Sequence, residues 1–185
     1  IYPVGDHQTI DFDPGPAAET MEGKFRPGHF IGMSEVVYRL LRITSPDSLF
    51  MGQKDFQQFS IIRKLITDFQ MPIQLVMCPT VREANGLAMS SRNVRLSPEA
   101  RDKAGVIFNI LTSGKMLFEQ KTPAKYVQDI ALDALRKVNF DPEYFEVVNG
   151  YTLEPGEHME DAGQIVAWCA VKVEGVRLIG DMIWK

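Results

Sequence analysis

Apolar and polar positions change their spacing repeatedly along the chain, and the changes mark out its elements. Residues 4–27 are rich in glycine, proline and aspartate and read as an irregular loop with a short helix near 17–21. At 34–43 the spacing turns helical. Val36, Val37, Leu40, Leu41 and Ile43 form an apolar stripe, with Ser34 placed to cap it. Pro46-Asp47 ends that helix, and residues 48–52 read as a short buried strand. A second helix is expected over 55–69, with Phe56, Phe59, Ile62, Leu65, Ile66 and Phe69 on one face. Met71-Pro72 breaks it, and residues 73–78 form the next strand, closed by Pro79. Helices alternating with strands over short connections predict parallel β/α crossovers.

The pattern differs after the loop 80–96. Ser97-Pro98-Glu99 combines a cap, a proline at the first helical position and an acid at the positive end of the dipole, so one helix is expected from there to about 119. Thr122-Pro123 starts another, with Tyr126, Val127, Ile130, Ala131, Ala134, Leu135 and Val138 as its inner stripe, and Asp141-Pro142 stops it. Residues 144–148, 164–173 and 176–184 read as antiparallel strands, the last two joined at Glu174-Gly175. The fold class is therefore α/β: a parallel unit over 1–79, then a small α+β domain with an antiparallel sheet over 80–185.

Composition narrows the options. The 185 residues are 45% hydrophobic and 24% charged, as expected of a chain with a real core. A net charge of -4 argues against a broad nucleic-acid surface or a polybasic membrane surface, so any anion site is local. No apolar run reaches the length of a membrane span and no leader pattern is present, which makes a cytoplasmic location the default expectation. Cys78 and Cys169 lie among apolar neighbours and read as buried, reduced thiols, with no spacing suited to zinc. Ile1-Tyr2-Pro3 reads as the end of a strand, so a fragment and a processed terminus are both open.

Ligands of open parallel sheets bind beyond the carboxyl ends of the strands. The first strand runs into Gly52-Gln53-Lys54-Asp55, with Gln57 and Gln58 following, and the second runs into the loop that ends at Ser90-Ser91-Arg92. Parallel strands would put both clusters on one edge. Gly52 permits close backbone approach, Lys54 can neutralise phosphate and Asp55 can accept from a ribose hydroxyl. In Gly86-Leu87-Ala88-Met89-Ser90-Ser91-Arg92-Asn93, hydroxyls and amides can wrap phosphate oxygens while the guanidinium adds a bidentate contact. Each cluster alone also reads as a solvated turn. Gln58 is either solvated or reaching into a cleft. His29, in Arg26-Pro27-Gly28-His29-Phe30, is either a general base or a loop histidine bonding backbone. His7 and His158 read as surface residues. Arg82-Glu83 reads as a simple ion pair or as a device ordering the loop, and Met33, Met77 and Met116 as core filler.

Three segments in one order carry a family resemblance. Residues 22–30 (Glu-Gly-Lys-Phe-Arg-Pro-Gly-His-Phe), 52–58 (Gly-Gln-Lys-Asp-Phe-Gln-Gln) and 82–93 (Arg-Glu-Ala-Asn-Gly-Leu-Ala-Met-Ser-Ser-Arg-Asn) resemble the pantoate–β-alanine ligase family. The likeness runs from Tyr2-Pro3 essentially to the C-terminus. It implies a nucleotidylyltransferase-like, partial Rossmann-like sheet and an ATP-dependent ligase serving coenzyme A precursor biosynthesis. Pantoate would be activated as pantoyl adenylate, with magnesium assisting, and then captured by β-alanine. The partners implied are ATP, pantoate and β-alanine, with a homodimer as the assembly. By motif, Gly52, Gln53, Lys54 and Asp55 would line the ATP site, Lys54 on phosphate and Asp55 with Gly52 on the ribose. Val81 would offer backbone to adenine and Gln58 would bind pantoate. Met89, Ser90, Ser91 and Arg92 resemble the KMSKS-type loop of class I aminoacyl-tRNA synthetases and would clamp the phosphates, with Lys54 and Arg92 acting catalytically.

Two positions depart from the family pattern. Gln53 stands where glutamate is usual, and Asn85 where aspartate is common; the latter reads as a turn substitution of small effect. The family's His-x-Gly-His motif has no counterpart here. The chain thus resembles the family's C-terminal portion, and the polypeptide alone is expected to have negligible ligase activity. The competing readings are another nucleotidylyltransferase of the same fold and a non-catalytic dimerisation module.

Overall fold

The computed structural model describes residues 1–5, 9–155 and 162–185; the expectations for His7 and His158 lie outside the described residues. The chain divides into two compact units, Ile1–Cys78 and Pro79–Lys185. The α/β class expected from the sequence is the one observed, with a two-stranded parallel sheet in the first unit and a three-stranded antiparallel sheet in the second.

In the first unit, the one-turn α1 (Glu22–Phe25) and α2 (His29–Thr44) precede β1 (Ser48–Gly52), and α3 (Phe56–Asp68) is the crossover to β2 (Gln74–Cys78). The strands pair in parallel from Ser48 opposite Gln74 to Gly52 opposite Cys78, so both carboxyl ends finish at one edge. Leu41 of α2 and Ile62, Leu65 and Ile66 of α3 form the core, with Leu49, Met51 and Leu75 of the strands against it. The sequence places the start of α2 too late. Gly28 is its cap, and Ser34 lies inside the helix, wholly buried, with no hydrogen-bond partner for its hydroxyl. Only Leu41 of the expected stripe is fully buried, while Val36, Leu40 and Ile43 face outward. The short helix expected near 17–21 is a 3-10 turn at Pro16–Ala18.

In the second unit, α4 (Pro98–Lys103), α5 (Val106–Glu119) and α6 (Ala124–Lys137) precede the meander β3 (Asp141–Asn149), β4 (Ile165–Val173) and β5 (Val176–Ile183). The β4–β5 turn has positive φ at both Glu174 and Gly175, which matches the twist of the strands it joins. Leu111, Val127, Leu135, Phe145, Val147, Ala167 and Cys169 belong to one core cluster. Ser97 caps α4 as its sequence suggests, its hydroxyl accepting from the Ala100 amide at 3.1 Å while donating to Glu174 at 2.8 Å. The single helix expected over 97–119 is two, α4 and α5. A Cβ on Gly105 would collide with the Asn85 carbonyl oxygen, so the chain passes too close there for a side chain and the helix is interrupted. The inner stripe of α6 is narrower than the spacing predicts, since Tyr126 and Ile130 are 65% and 50% exposed. Met116 is likewise exposed rather than filling the core.

Among the described residues no helix is long and apolar enough to cross a membrane. Both cysteines are free. Cys169 is fully buried, and desolvation pushes its thiol pKa up to about 12, so thiolate is scarce near neutral pH. Cys169 is therefore expected to resist a thiol reagent in the folded protein and to react only in denaturant. Rapid labelling of Cys169 under native conditions, located by peptide mapping, would contradict this burial.

Candidate functional site

The two candidate clusters lie in different units, and each has its own geometry. In the first, β1 ends at Gly52 and the chain turns through a 3-10 segment, Gln53–Asp55, directly into α3. Gly52 is exposed. The Lys54 side chain has no hydrogen-bond or ion-pair partner among the described residues, so its charge remains available. Asp55 lies close enough to His29 to influence its titration. Burial and then Arg26 hold His29 below the ordinary histidine value, while Glu22 and Asp55 oppose them. The neutral form of the imidazole is thereby favoured. It opens α2, with its amide donating to the Arg26 carbonyl at 3.0 Å. A cavity of about 400 Å³ is lined by Asp13, Lys24, Pro27, Gly28 and Phe30 among others, which puts much of the 22–30 segment on its wall.

Two adjacent glutamines on α3 have opposite environments. Gln57 is 1% exposed. Its oxygen accepts from the Glu22 amide at 3.1 Å, and its nitrogen donates to the carbonyls of Ala17 (2.6 Å) and Thr20 (2.9 Å). It therefore ties the preceding loop to α3. Gln58 is half-buried, and its side chain has no partner among the described residues.

In the second unit, residues 81–89 form a tight hairpin where the sequence predicts only a loop. Arg82 pairs antiparallel with Ala88. The Glu83 amide donates to the Leu87 carbonyl (2.8 Å), and the Met89 amide to the Val81 carbonyl (2.9 Å). Val81 and Met89 therefore stand opposite each other, at 66% and 54% exposure, and offer adjoining apolar surface. The Val81 carbonyl keeps a lone pair. Gly86 turns the hairpin at φ +91°, and a Cβ there would sit 2.7 Å from the Phe108 ring. The hairpin leads into Ser90 and a 3-10 turn, Ser91–Arg95. The Ser90 hydroxyl accepts from the Arg92 amide at 3.2 Å and keeps its own proton to donate. Ser91 and Arg92 are exposed, and their side chains have no partner among the described residues.

Arg82 and Glu83 do not form the simple pair that their adjacency suggests. Arg82 reaches inward, donating to the carbonyls of Asp181 (2.9 Å) and Gly86 (3.3 Å) while stacking 4.4 Å from the Phe108 ring centre. Burial disfavours its charge, and the Asp181 charge beside it compensates. Glu83 is paired with Arg101 through Nε (2.8 Å) and Nη2 (2.9 Å), and it also accepts from Asn93 (2.7 Å). Arg101, then Asn93, hold its carboxyl below the usual carboxylate range. Because the native value is the lower one, the stabilisation is present above the ordinary carboxylate pKa and is lost as pH falls through the native value.

Asn85 has a definite structural task. Its oxygen accepts from the Leu87 amide at 3.1 Å, which orients its NH2 toward the carbonyls of Arg101 (2.9 Å) and Asp102 (3.0 Å) at the end of α4. Aspartate lacks those donors and would set a negative charge at the negative end of a helix. Asn85→Asp is expected to destabilise the protein by about 1–3 kcal/mol. The measurement is the urea midpoint at constant slope; an unchanged midpoint would mean that these bonds do not hold the turn.

Similarity to known proteins agrees with the motifs. The family model for pantoate-beta-alanine ligase matches residues 1–183. A pantothenate synthetase of Porphyromonas gingivalis is 38% identical over 185 residues, covering 100% of this chain and 65% of that protein. The crystal structure of a pantothenate synthetase from Thermus thermophilus aligns with a TM-score of 0.90 at 35% identity, covering 98% of this chain and 65% of that one. A pantoate-beta-alanine ligase from Francisella tularensis, complexed with beta-gamma ATP and β-alanine, aligns with a TM-score of 0.69 at 29% identity over 91% of this chain and 55% of its own. The chain spans 65% of the length of the first of these relatives. With the family model covering nearly every residue, this chain belongs to the pantoate–β-alanine ligase family.

Proposed function

We propose that the protein carrying this chain condenses pantoate with β-alanine at the expense of ATP, by way of pantoyl adenylate. A pantoate carboxylate oxygen bonds to the α-phosphorus as the bond to pyrophosphate breaks. The neutral amine of β-alanine then attacks the acyl carbon, the acyl–oxygen bond breaks, AMP leaves and the amine sheds a proton. Family membership supports the substrates, as does the Francisella relative described with a nucleotide and β-alanine. The observation that carries the reading is the hairpin and its sequel. In one short run it presents apolar surface at Val81 and Met89, hydroxyls at Ser90 and Ser91, and an unpaired guanidinium at Arg92.

Each group has a task that suits its chemistry. Val81 backbone would meet the adenine edge, with Met89 against the base. Ser90, Ser91 and Arg92 would hold phosphate oxygens, and Lys54 would neutralise charge as it builds on the leaving pyrophosphate. Gly52 and Asp55 would take the ribose, with Gln53 beside them acting through its backbone. Gln58, unpartnered where Gln57 is saturated, would bind pantoate. Magnesium, carried on the triphosphate, would lower the charge on the leaving group.

Three experiments on the full-length protein test this. Pantoate labelled with heavy oxygen in its carboxylate is expected to pass one label to AMP; label in inorganic phosphate would overturn the adenylate route. Arg92→Ala should slow pyrophosphate release about 100- to 1,000-fold while pantoate affinity stays within a few fold. Gln58→Ala should show the reverse bias, weakening pantoate and sparing ATP. Equal losses of both ligands in either variant would remove the assigned role.

A further inference from the structure

Glu83 is bonded through its backbone within the hairpin and through its side chain to groups beyond it. Its backbone amide donates to Leu87 and its carbonyl accepts from Gly86 at 2.9 Å, so it closes both sides of the turn. Its carboxylate takes the guanidinium fork of Arg101 and still accepts from the Asn93 amide nitrogen. That same nitrogen donates to the Ala88 carbonyl at 3.1 Å, the next strand of the hairpin. Both partners are acceptors, which fixes the orientation of the amide. Asn93 is 1% exposed and sits in the 3-10 turn, with its own amide bonded to the Ser90 carbonyl at 3.0 Å. Asn93 therefore pins the segment carrying Ser90, Ser91 and Arg92 from beneath, and Glu83 with Arg101 holds Asn93.

The charges bear this out. A carboxylate one hydrogen bond from a phosphate-binding segment would repel its ligand unless neutralised. Arg101 neutralises it, and its bidentate geometry leaves Arg101 committed to that task. Arg92 keeps its charge free for ligand.

We propose that Glu83 is a positioning residue: held by Arg101, it fixes Asn93 and thereby the conformation from which Ser90, Ser91 and Arg92 meet the nucleotide phosphates. The assignment rests on the nucleotide reading above. Glu83→Gln keeps an acceptor for Asn93 and removes the charge that holds the Arg101 fork. Asn93→Asp is its complement, setting carboxylate against carboxylate.

The test uses the full-length protein. Glu83→Gln is expected to slow adenylate formation about 100-fold, the scale of a small misplacement, with pantoate KM within twofold and the protein fully folded at the assay temperature. Adding Glu83→Gln to Arg92→Ala should cost little more, because the first change acts through the second residue. Asn93→Asp should match Glu83→Gln if it folds. Hydrogen exchange at the amides of Arg92 and Asn93 should quicken in Glu83→Gln without any substrate present. A wild-type rate in Glu83→Gln, a loss equal to its unfolded fraction, full additivity with Arg92→Ala, or unchanged exchange would each overturn the positioning role. Wild-type protein that releases no pyrophosphate from ATP and pantoate sinks the nucleotide reading and, with it, the catalytic consequence; the exchange result then decides the structural link separately.

Discussion

The second unit depends on side chains holding a loop that no sheet holds. Residues 81–89 have only a short ladder of their own, so the hairpin is fastened by Arg82 to Asp181 and Gly86, by Asn85 to the end of α4, and by Glu83 to Arg101 and Asn93. Several of the groups joined are partly buried, and breaking such a bond singly leaves its partner unmatched. The close pass at Gly105 belongs to the same arrangement, since the helix must be interrupted where Asn85 comes against it. A loop tied at several points can present exposed hydroxyls and a guanidinium in a defined direction. One held only by its ends could not.

Charge is distributed to the same end. In a chain of net charge -4, some positive groups are committed to ion pairs and others are not. Arg101 is committed to Glu83 and Arg177 to Glu143, whereas Lys54 and Arg92 are left unpaired among the described residues. Glu83, one hydrogen bond from Asn93, has its charge matched by Arg101. The adjacent glutamines of α3 show the same division of labour in uncharged form. Gln57 is saturated by the loop it anchors, and Gln58 is free to meet something else.

Much of the framework is legible in the sequence. The helix–strand alternation announces parallel pairing, and the strands do run side by side from Ser48 opposite Gln74. Ser97-Pro98 announces the start of α4, and Glu174-Gly175 the last hairpin. The departures share a cause. Periodicity finds a helix but not which flank is covered, so Val36, Leu40, Tyr126 and Ile130 are expected inward and point outward. Arg82 and Glu83 read as a pair because they are neighbours in sequence. Opposite-charge neighbours in a strand project to opposite sides, and each finds its partner elsewhere.

The sequence by itself determined the element types, the order of the polar clusters and the three motifs that name the family, because these depend on local spacing and residue chemistry. Tertiary structure alone decided which of those polar residues are consumed and which remain available. Gln57 and Gln58 are identical letters, and so are the arginines at 82, 92 and 101. Their difference is made by Ala17, Asp181 and Glu83, residues brought to them or withheld by the fold. A hydrogen bond is short-ranged and needs its partner within about 3 Å, so no reading of spacing along the chain can tell a satisfied group from a free one.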